Sequence, residues 1–122
     1  MIKYVQCVRR RPGMEVAEFR AHWEEYLRMS RSFAGDLPLV RVSESTALLV
    51  EANVRIMQGR GTAEPFDAML ELWLEGAGAL EAALGRPEVH EKLTRLQEKQ
   101  EVFMDLEASV FFFAWENVRA AQ

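Results

Sequence analysis

The sequence predicts an α+β fold in which four short strands and two main helices alternate in the order βαββαβ, with one further helical element. Three observations lead to this fold. Some segments alternate with the period of a strand, longer segments repeat with the period of a helix, and glycine and proline separate the two kinds. The chain has 122 residues, the length of one domain, so residues 1–122 are predicted to form a single unit.

The first half of the chain is predicted to form two strands and a long helix. Residues 2–9 alternate with period two, which places one set of side chains on a common face: Ile2, Tyr4, Gln6 and Val8. Pro12-Gly13 ends this strand, and residues 14–32 then repeat with the period of a helix. Residues 39–43 predict a second strand. Residues 46–57 suit either a continuation of that strand or a short helix, and the short helix is favoured.

The second half contains the strand with the clearest alternation, residues 66–75. Its side chains divide into two faces, with Asp67, Met69, Glu71, Trp73 and Glu75 opposite Ala68, Leu70, Leu72 and Leu74. Two helices are predicted next, over 76–84 and 87–103, because Gly85-Arg86-Pro87 separates them and proline fits the first turn of a helix. Residues 109–115 are rich in aromatic side chains and predict a last strand that is apolar on both faces.

This order of elements is the split βαβ arrangement, a ferredoxin-like βαββαβ fold with an antiparallel sheet. Its helices cover only one face of the sheet. Met69, Trp73 and Phe112 nevertheless lie on strands that carry large apolar side chains on both faces. A second copy of the chain is the simplest cover for the other face. The sequence therefore predicts a homodimer in which two sheets together form a barrel.

Composition and charge limit the partners of the chain. Apolar residues make up 49% and charged residues 28% of the sequence, which is typical of a globular domain. The net charge is −4 and basic residues cluster only at Arg9, Arg10 and Arg11, so nucleic acid is not an expected partner. No apolar run approaches the roughly 18 residues of a membrane span, and the single cysteine, Cys7, suits a reducing compartment. We expect a cytoplasmic protein without a membrane partner.

The sequence offers no pattern that is typical of a metal or nucleotide site. His22 and His90 have neither a cysteine nor another histidine at ligand spacing, so no metal site is expected. Gly59 and Gly61 lack the third glycine and the following helix of a phosphate-binding loop. We therefore expect no cofactor.

Short motifs along almost the whole chain resemble one known family. They are Ile2-Lys3, Arg9-Arg10-Arg11-Pro12-Gly13-Met14, Glu18-Phe19-Arg20-Ala21-His22-Trp23, Arg60-Gly61-Thr62-Ala63-Glu64-Pro65-Phe66-Asp67, Glu71-Leu72-Trp73, Phe103-Met104-Asp105-Leu106-Glu107-Ala108-Ser109 and Trp115-Glu116-Asn117. In order and spacing, these motifs resemble the EthD family, which is named for ethyl tert-butyl ether degradation. The resemblance implies a ferredoxin-like domain of the dimeric α/β-barrel superfamily.

The resemblance also implies a range of chemistry rather than one reaction. The superfamily includes monooxygenases, isomerases and cyclases, and the fold alone does not select among them. EthD relatives are associated with ether degradation by a haem monooxygenase, and some fungal relatives resemble dehydratases or decarboxylases of aromatic polyketides. A small hydrophobic ligand is thus implied. One position departs from the family, because the histidine that commonly lies four residues after the helix tryptophan is Leu27 here.

Two side chains are candidates for acid–base catalysis, Glu71 and His22. An imidazole titrates near neutral pH, and a carboxylate enclosed among the apolar walls of a barrel can shuttle a proton. Each residue also has a structural interpretation. His22 would then lie at the edge of the core, and Glu71 would form an interface salt bridge with an arginine such as Arg41.

Aromatic and charged side chains are candidates for ligand binding. The predicted ligand-binding residues are Tyr4, Trp23, Tyr26, Arg41, Met69 and Trp73. Tyr4, Tyr26 and Trp73 would supply the aromatic wall of a small pocket, although core packing explains them equally well. The predicted function is binding or transformation of a small hydrophobic or aromatic metabolite, by oxygenase-accessory, cyclase or dehydratase chemistry. The alternative is a non-catalytic ligand-binding or interaction protein of the same fold, and the sequence leaves open whether the protein is an enzyme.

Overall fold

The computed structural model describes residues 1–121 of the chain, which form four strands and four helices. In chain order these are β1 (Ile2–Val8), α1 (Val16–Ala34), β2 (Leu39–Thr46), α2 (Glu51–Arg60), β3 (Ala68–Leu74), α3 (Ala77–Leu84), α4 (Pro87–Phe103) and β4 (Val110–Trp115). The predicted α+β class and the predicted order of the main elements are confirmed.

The four strands form one antiparallel sheet in the order β2-β3-β1-β4. This order places β1 and β3 in the centre and β2 and β4 at the two edges, as in a ferredoxin-like fold. The register pairs Tyr4 with Leu72 on one side and with Phe113 on the other. Lys3 lies one residue along and pairs with Trp73, so it belongs to the opposite face of the sheet.

Helices α1 and α4 pack against one face of the sheet because each carries a continuous apolar stripe. The stripe of α1 buries Phe19, Trp23, Tyr26, Leu27 and Phe33. That of α4 buries Val89, Leu96, Gln100 and Phe103, with Pro87 in the first turn as predicted. The aromatic rings meet in the middle of the core, where the centroids of Phe19 and Phe103 lie 5.4 Å apart.

The segment between β2 and β3 combines both structures that its sequence allowed. Strand β2 continues to Thr46, and helix α2 spans Glu51–Arg60. Gly61 caps this helix with a φ of +67°, a left-handed conformation that favours glycine. No residue of α2 is buried. Its apolar side chains therefore add little to the core, which explains why their spacing could not decide between strand and helix.

The other face of the sheet, here called the outer face, carries the side chains that alternate with those of the core. They are Lys3, Val5 and Cys7 of β1, Arg41 and Ser43 of β2, Met69, Glu71 and Trp73 of β3, and Val110 and Phe112 of β4. Val110 is 47% exposed and Phe112 is 43% exposed. This face thus combines charged side chains with large apolar ones, and the chain itself covers it only in part.

Within residues 1–121, none of the helices combines the length and the apolar character that are needed to cross a membrane.

Candidate ligand-binding cavity

A cavity of about 610 Å³ lies between the helices and the sheet. Period two along the strands directs Tyr4, Gln6, Leu70 and Leu72 toward it, and α1 and α4 close it from the other side. Most of its wall is apolar: Phe33, Leu37, Leu39, Leu70, Leu72, Leu74, Leu80, Leu93, Leu96, Phe111 and Phe113. Its size and lining are those of a site for a small organic ligand.

Three buried polar side chains form a hydrogen-bonded chain beside this cavity. The hydroxyl of Tyr26 donates to Oε1 of Gln6 at 2.9 Å, and Nε2 of Gln100 donates to the same hydroxyl at 2.9 Å. Tyr26 is 1% exposed, Gln6 6% and Gln100 8%. These hydrogen bonds link α1, β1 and α4, because each element supplies one of the three residues.

The two tyrosines of the cavity are both held in their neutral form. Burial raises the pKa of Tyr26 above its ordinary value of 10.0, and the hydrogen bonds with Gln100 and Gln6 offset only part of this rise. Burial likewise raises the pKa of Tyr4, against a smaller lowering by the side chain of Gln6. At neutral pH both phenols therefore remain protonated and can donate hydrogen bonds.

Charge is confined to the border of the cavity. Among the lining residues that the structure describes, only Arg31 and Glu44 carry a charge, and they pair with each other across 2.9 Å between α1 and β2. Their side chains are 55% and 28% exposed, so this ion pair faces solvent. The interior offers only neutral polar groups.

The structure brings together two of the predicted ligand-binding residues, Tyr4 and Tyr26. Trp23 lies instead in the core, 1% exposed, with its ring 6.2 Å from that of Phe19, and does not line the cavity. The expected wall of Tyr4, Tyr26 and Trp73 needs a correction, because the pairing of Lys3 with Trp73 places Trp73 on the outer face. Arg41 and Met69 lie on that face as well.

A cluster of charged and aromatic side chains occupies the outer face. Nζ of Lys3 lies 2.5 Å from Oε2 of Glu71, so the ion pair of Glu71 is with a lysine and not with an arginine such as Arg41. The guanidinium of Arg41 lies 4.5 Å from the ring centroid of Trp73, and Nζ of Lys3 lies 5.1 Å from it. Trp73 is 4% exposed, and its Nε1 has no hydrogen-bond partner within residues 1–121.

His22 lies at the edge of the core between α1 and α4. Nζ of Lys99 is 2.9 Å from its Nδ1, and its ring stacks on Phe103 with centroids 5.7 Å apart. The side chain does not line the cavity. Leu27, at the position where the family commonly has a histidine, is buried and 2% exposed. Within residues 1–121, no three side chains of the metal-binding types come together as ligands for an ion.

Gln6 and Gln100 were not among the predicted site residues. Both occupy apolar stripes, Gln6 between Tyr4 and Val8 on β1, and Gln100 between Leu96 and Phe103 on α4. A polar residue on a buried face needs a hydrogen-bond partner. That interruption of two apolar stripes is the signal in the sequence that points to the cavity.

A ferredoxin-like sheet with a cavity beneath its helices defines the class as small single-sheet α+β proteins with an internal cavity. A family model described as EthD domain matches residues 11–107. The chain belongs to the EthD family. None of the curated proteins compared with the chain matches it.

Solved structures of low sequence identity share the fold. An EthD-family protein from Bacillus halodurans C-125 is 11% identical with a TM-score of 0.62, and the alignment covers 96% of this chain and 99% of that one. A dimeric ferredoxin-like protein of unknown function from Thermobifida fusca YX is 11% identical with a TM-score of 0.59, over 93% and 88% of the two chains. A putative antibiotic biosynthesis monooxygenase from Deinococcus radiodurans is 14% identical with a TM-score of 0.52, over 99% and 95%.

Proposed function

We propose that this EthD-family protein binds a small hydrophobic or aromatic metabolite in the cavity between its helices and its sheet. The observation that carries the proposal is an apolar cavity of about 610 Å³ that contains a chain of buried, neutral hydrogen-bonding groups. A cavity of this size inside a small domain loses packing contacts, and a ligand would restore them. The polar chain would fix the orientation of that ligand.

Transformation of the ligand is the catalytic form of this proposal. It takes support from the structural neighbour that is described as a putative antibiotic biosynthesis monooxygenase. Oxygenase-accessory, cyclase and dehydratase reactions all act on such ligands, and an oxidoreductase role belongs to the same group. Catalytic roles for Glu71 and His22 stay predictions, and neither residue lines the cavity. That separation favours the second candidate function, a binding protein that performs no chemistry.

We also propose that a second copy of the chain covers the outer face. Phe112 and Val110 are about half exposed there, beside the buried ring of Trp73. Burying such side chains between two sheets removes apolar area from water. The relative from Thermobifida fusca is described as dimeric and has the same fold, which supports this arrangement.

Native mass spectrometry of the protein purified without added ligand tests both proposals. We expect a dimer that carries the extra mass of a small organic molecule, and collisional release would identify the class of that molecule. A monomer would overturn the proposed homodimer. A bare protein that also fails to take up any apolar aromatic compound would overturn the proposed ligand site.

A cavity-blocking variant makes the test specific. Leu72→Trp places an indole in the cavity from β3, where Leu72 is half-buried and lines the wall. We expect this variant to lose the bound mass while it keeps the wild-type circular dichroism. Val54→Trp is the control, because it adds the same indole to α2 at an exposed position outside the cavity. Equal loss in both variants would contradict binding in this cavity.

A further inference from the structure

We propose that the ligand of the cavity is an uncharged apolar molecule that bears a hydroxyl group, a phenol or an alcohol. This inference rests on the proposed ligand-binding function and names the chemical class of the ligand. Two independent features of the cavity carry it, the absence of interior charge and the hydrogen-bonding capacity that its buried amides leave unused.

The charge distribution selects an uncharged ligand. The uncharged polar groups that line the cavity are the phenols of Tyr4 and Tyr26, the amides of Gln6, Gln97 and Gln100, and the hydroxyl of Ser30, which donates to the backbone carbonyl of Tyr26. The two charged lining residues within the described chain neutralise each other at the solvent-facing border. A carboxylate or an ammonium group that entered the interior would leave water without gaining an opposite charge, which is strongly unfavourable. The cavity therefore discriminates against ions.

The hydrogen-bonding groups select a hydroxyl. The Tyr26 hydroxyl already donates to Gln6 and accepts from Gln100, so its main capacity is used. Gln6 then retains two amide N–H donors, of which one interacts with the Tyr4 phenol and the other is free, and Gln100 retains a carbonyl acceptor. Within residues 1–121, the only side-chain nitrogen or oxygen that is fully buried without a hydrogen-bond partner is Nε1 of Trp73. The free amide groups of Gln6 and Gln100 are therefore accessible. They belong to residues that line the cavity and can reach its contents.

The presence of one free donor and one free acceptor on Gln6 and Gln100 does not depend on which way their amide groups are turned. If both amides are turned, Gln6 donates to Tyr26, Tyr26 donates to Gln100, and the free groups become a carbonyl on Gln6 and an N–H on Gln100. Either arrangement leaves one donor and one acceptor. A hydroxyl group serves both, since it donates and accepts, whereas an ether or a ketone serves only the donor.

A series of two-ring probes tests this selection. Binding of 2-naphthol, 2-methoxynaphthalene, naphthalene and 2-naphthoate is measured by probe fluorescence at pH 7 with the full-length protein. We expect 2-naphthol to bind about tenfold more tightly than naphthalene, as two modest hydrogen bonds would give. The methoxy compound should lie between them, and 2-naphthoate should bind at least tenfold more weakly than 2-naphthol.

The outcomes separate this inference from the function on which it rests. Equal affinities for 2-naphthol and naphthalene would leave the cavity as an apolar binding site and overturn the selection of a hydroxyl. Preference for 2-naphthoate would overturn it as well and would point to Arg31 as the ligand's partner. If none of the four probes binds, the proposed ligand site itself is overturned.

A pair of variants on one helix locates the effect. Gln100→Met removes the amide that contacts Tyr26 and leaves that of Gln6, so we expect the affinity for 2-naphthol to fall to about that for 2-methoxynaphthalene while the affinity for naphthalene is unaffected. Gln97→Met makes the same change at an exposed position of α4 on the rim of the cavity and should keep the preference for 2-naphthol. Loss of the preference in Gln97→Met alone would overturn the assignment to the buried amides. The probe series on the wild-type protein decides the matter even if Gln100→Met does not fold.

Discussion

The hydroxyl of Tyr26 donates a hydrogen bond to Oε1 of Gln6 across 2.9 Å and thereby joins helix α1 to the central strand β1. Both residues are almost completely buried. The contact is consequently a structural link as well as part of the cavity, and its two roles can be measured separately.

Tyr26→Phe is expected to lower the free energy of unfolding by about 1–3 kcal/mol. The substitution keeps the ring in the core but leaves the amide oxygen of Gln6 and an amide hydrogen of Gln100 without their partner. Urea denaturation followed by circular dichroism at 25 °C measures the loss. Ser32→Ala is the control, because it removes a hydroxyl from an exposed part of α1. A loss no larger than that of the control would contradict a buried network.

The same tyrosine should make stability depend on alkaline pH. Burial raises the pKa of Tyr26 above 10.0 in the folded chain, so the unfolded chain releases this proton at a lower pH. The unfolded state then binds fewer protons, and the free energy of unfolding falls as the pH rises past about 10. Below that pH the contribution of Tyr26 is fully present.

Urea denaturation between pH 8 and pH 11 checks this dependence against Tyr26→Phe. We expect the advantage of the wild-type protein over the variant to be constant up to about pH 9.5 and then to shrink. An advantage that grows with pH would mean that the phenol is more acidic in the folded protein than in the unfolded one.

A double-mutant cycle measures the ion pair between Lys3 and Glu71. We expect a coupling free energy of roughly 1 kcal/mol between Lys3→Met and Glu71→Gln, because the side chains are only 20% and 14% exposed but still reach solvent.

The catalytic hypothesis makes a different prediction for Glu71→Gln, loss of turnover with nearly unchanged thermal stability. Intact turnover of an identified substrate would exclude Glu71 as the catalytic acid or base.

Phe112→Glu should dissociate the proposed homodimer. The substitution replaces a half-exposed apolar ring of the outer face with a carboxylate, which a second sheet packed against that face would remove from water. We expect at least a tenfold rise in the dissociation constant of the dimer, measured by sedimentation velocity over a range of protein concentrations. Val102→Glu is the matched control on the exposed side of α4. If only Val102→Glu dissociates the dimer, the interface lies on the helices and not on the outer face.

The elements are predictable where the glycine and proline breaks agree with the apolar periodicity. Helix α4 spans Pro87 to Phe103 as expected, because proline opens it and its apolar residues repeat through four turns. Segment 46–57 is ambiguous from sequence because no residue of helix α2 is buried, and a helix without a buried face leaves no periodic signal.

The candidate site was only partly predictable for a reason of strand register. Alternation correctly separates Leu72 from Trp73 and Tyr4 from Lys3, but a single sequence does not state which face of one strand aligns with which face of the next. Shifting the pairing by one residue would move Trp73 to the face of Tyr4. The observed register of Tyr4 with Leu72 decides the matter, and it makes Gln6 rather than Trp73 a neighbour of Tyr26.

Strand β4 affects the tendency of free chains to aggregate. Residues 110–115 are Val-Phe-Phe-Phe-Ala-Trp, without a charge or a proline, and they form an edge of the sheet. Unpaired edge strands of this composition add readily to one another and can seed aggregates. Pairing of the outer faces would protect the aromatic side chains of this strand but not its backbone edge. Under the proposed homodimer, aggregation of free chains competes with pairing, and the concentration of chains that have not yet paired sets the balance.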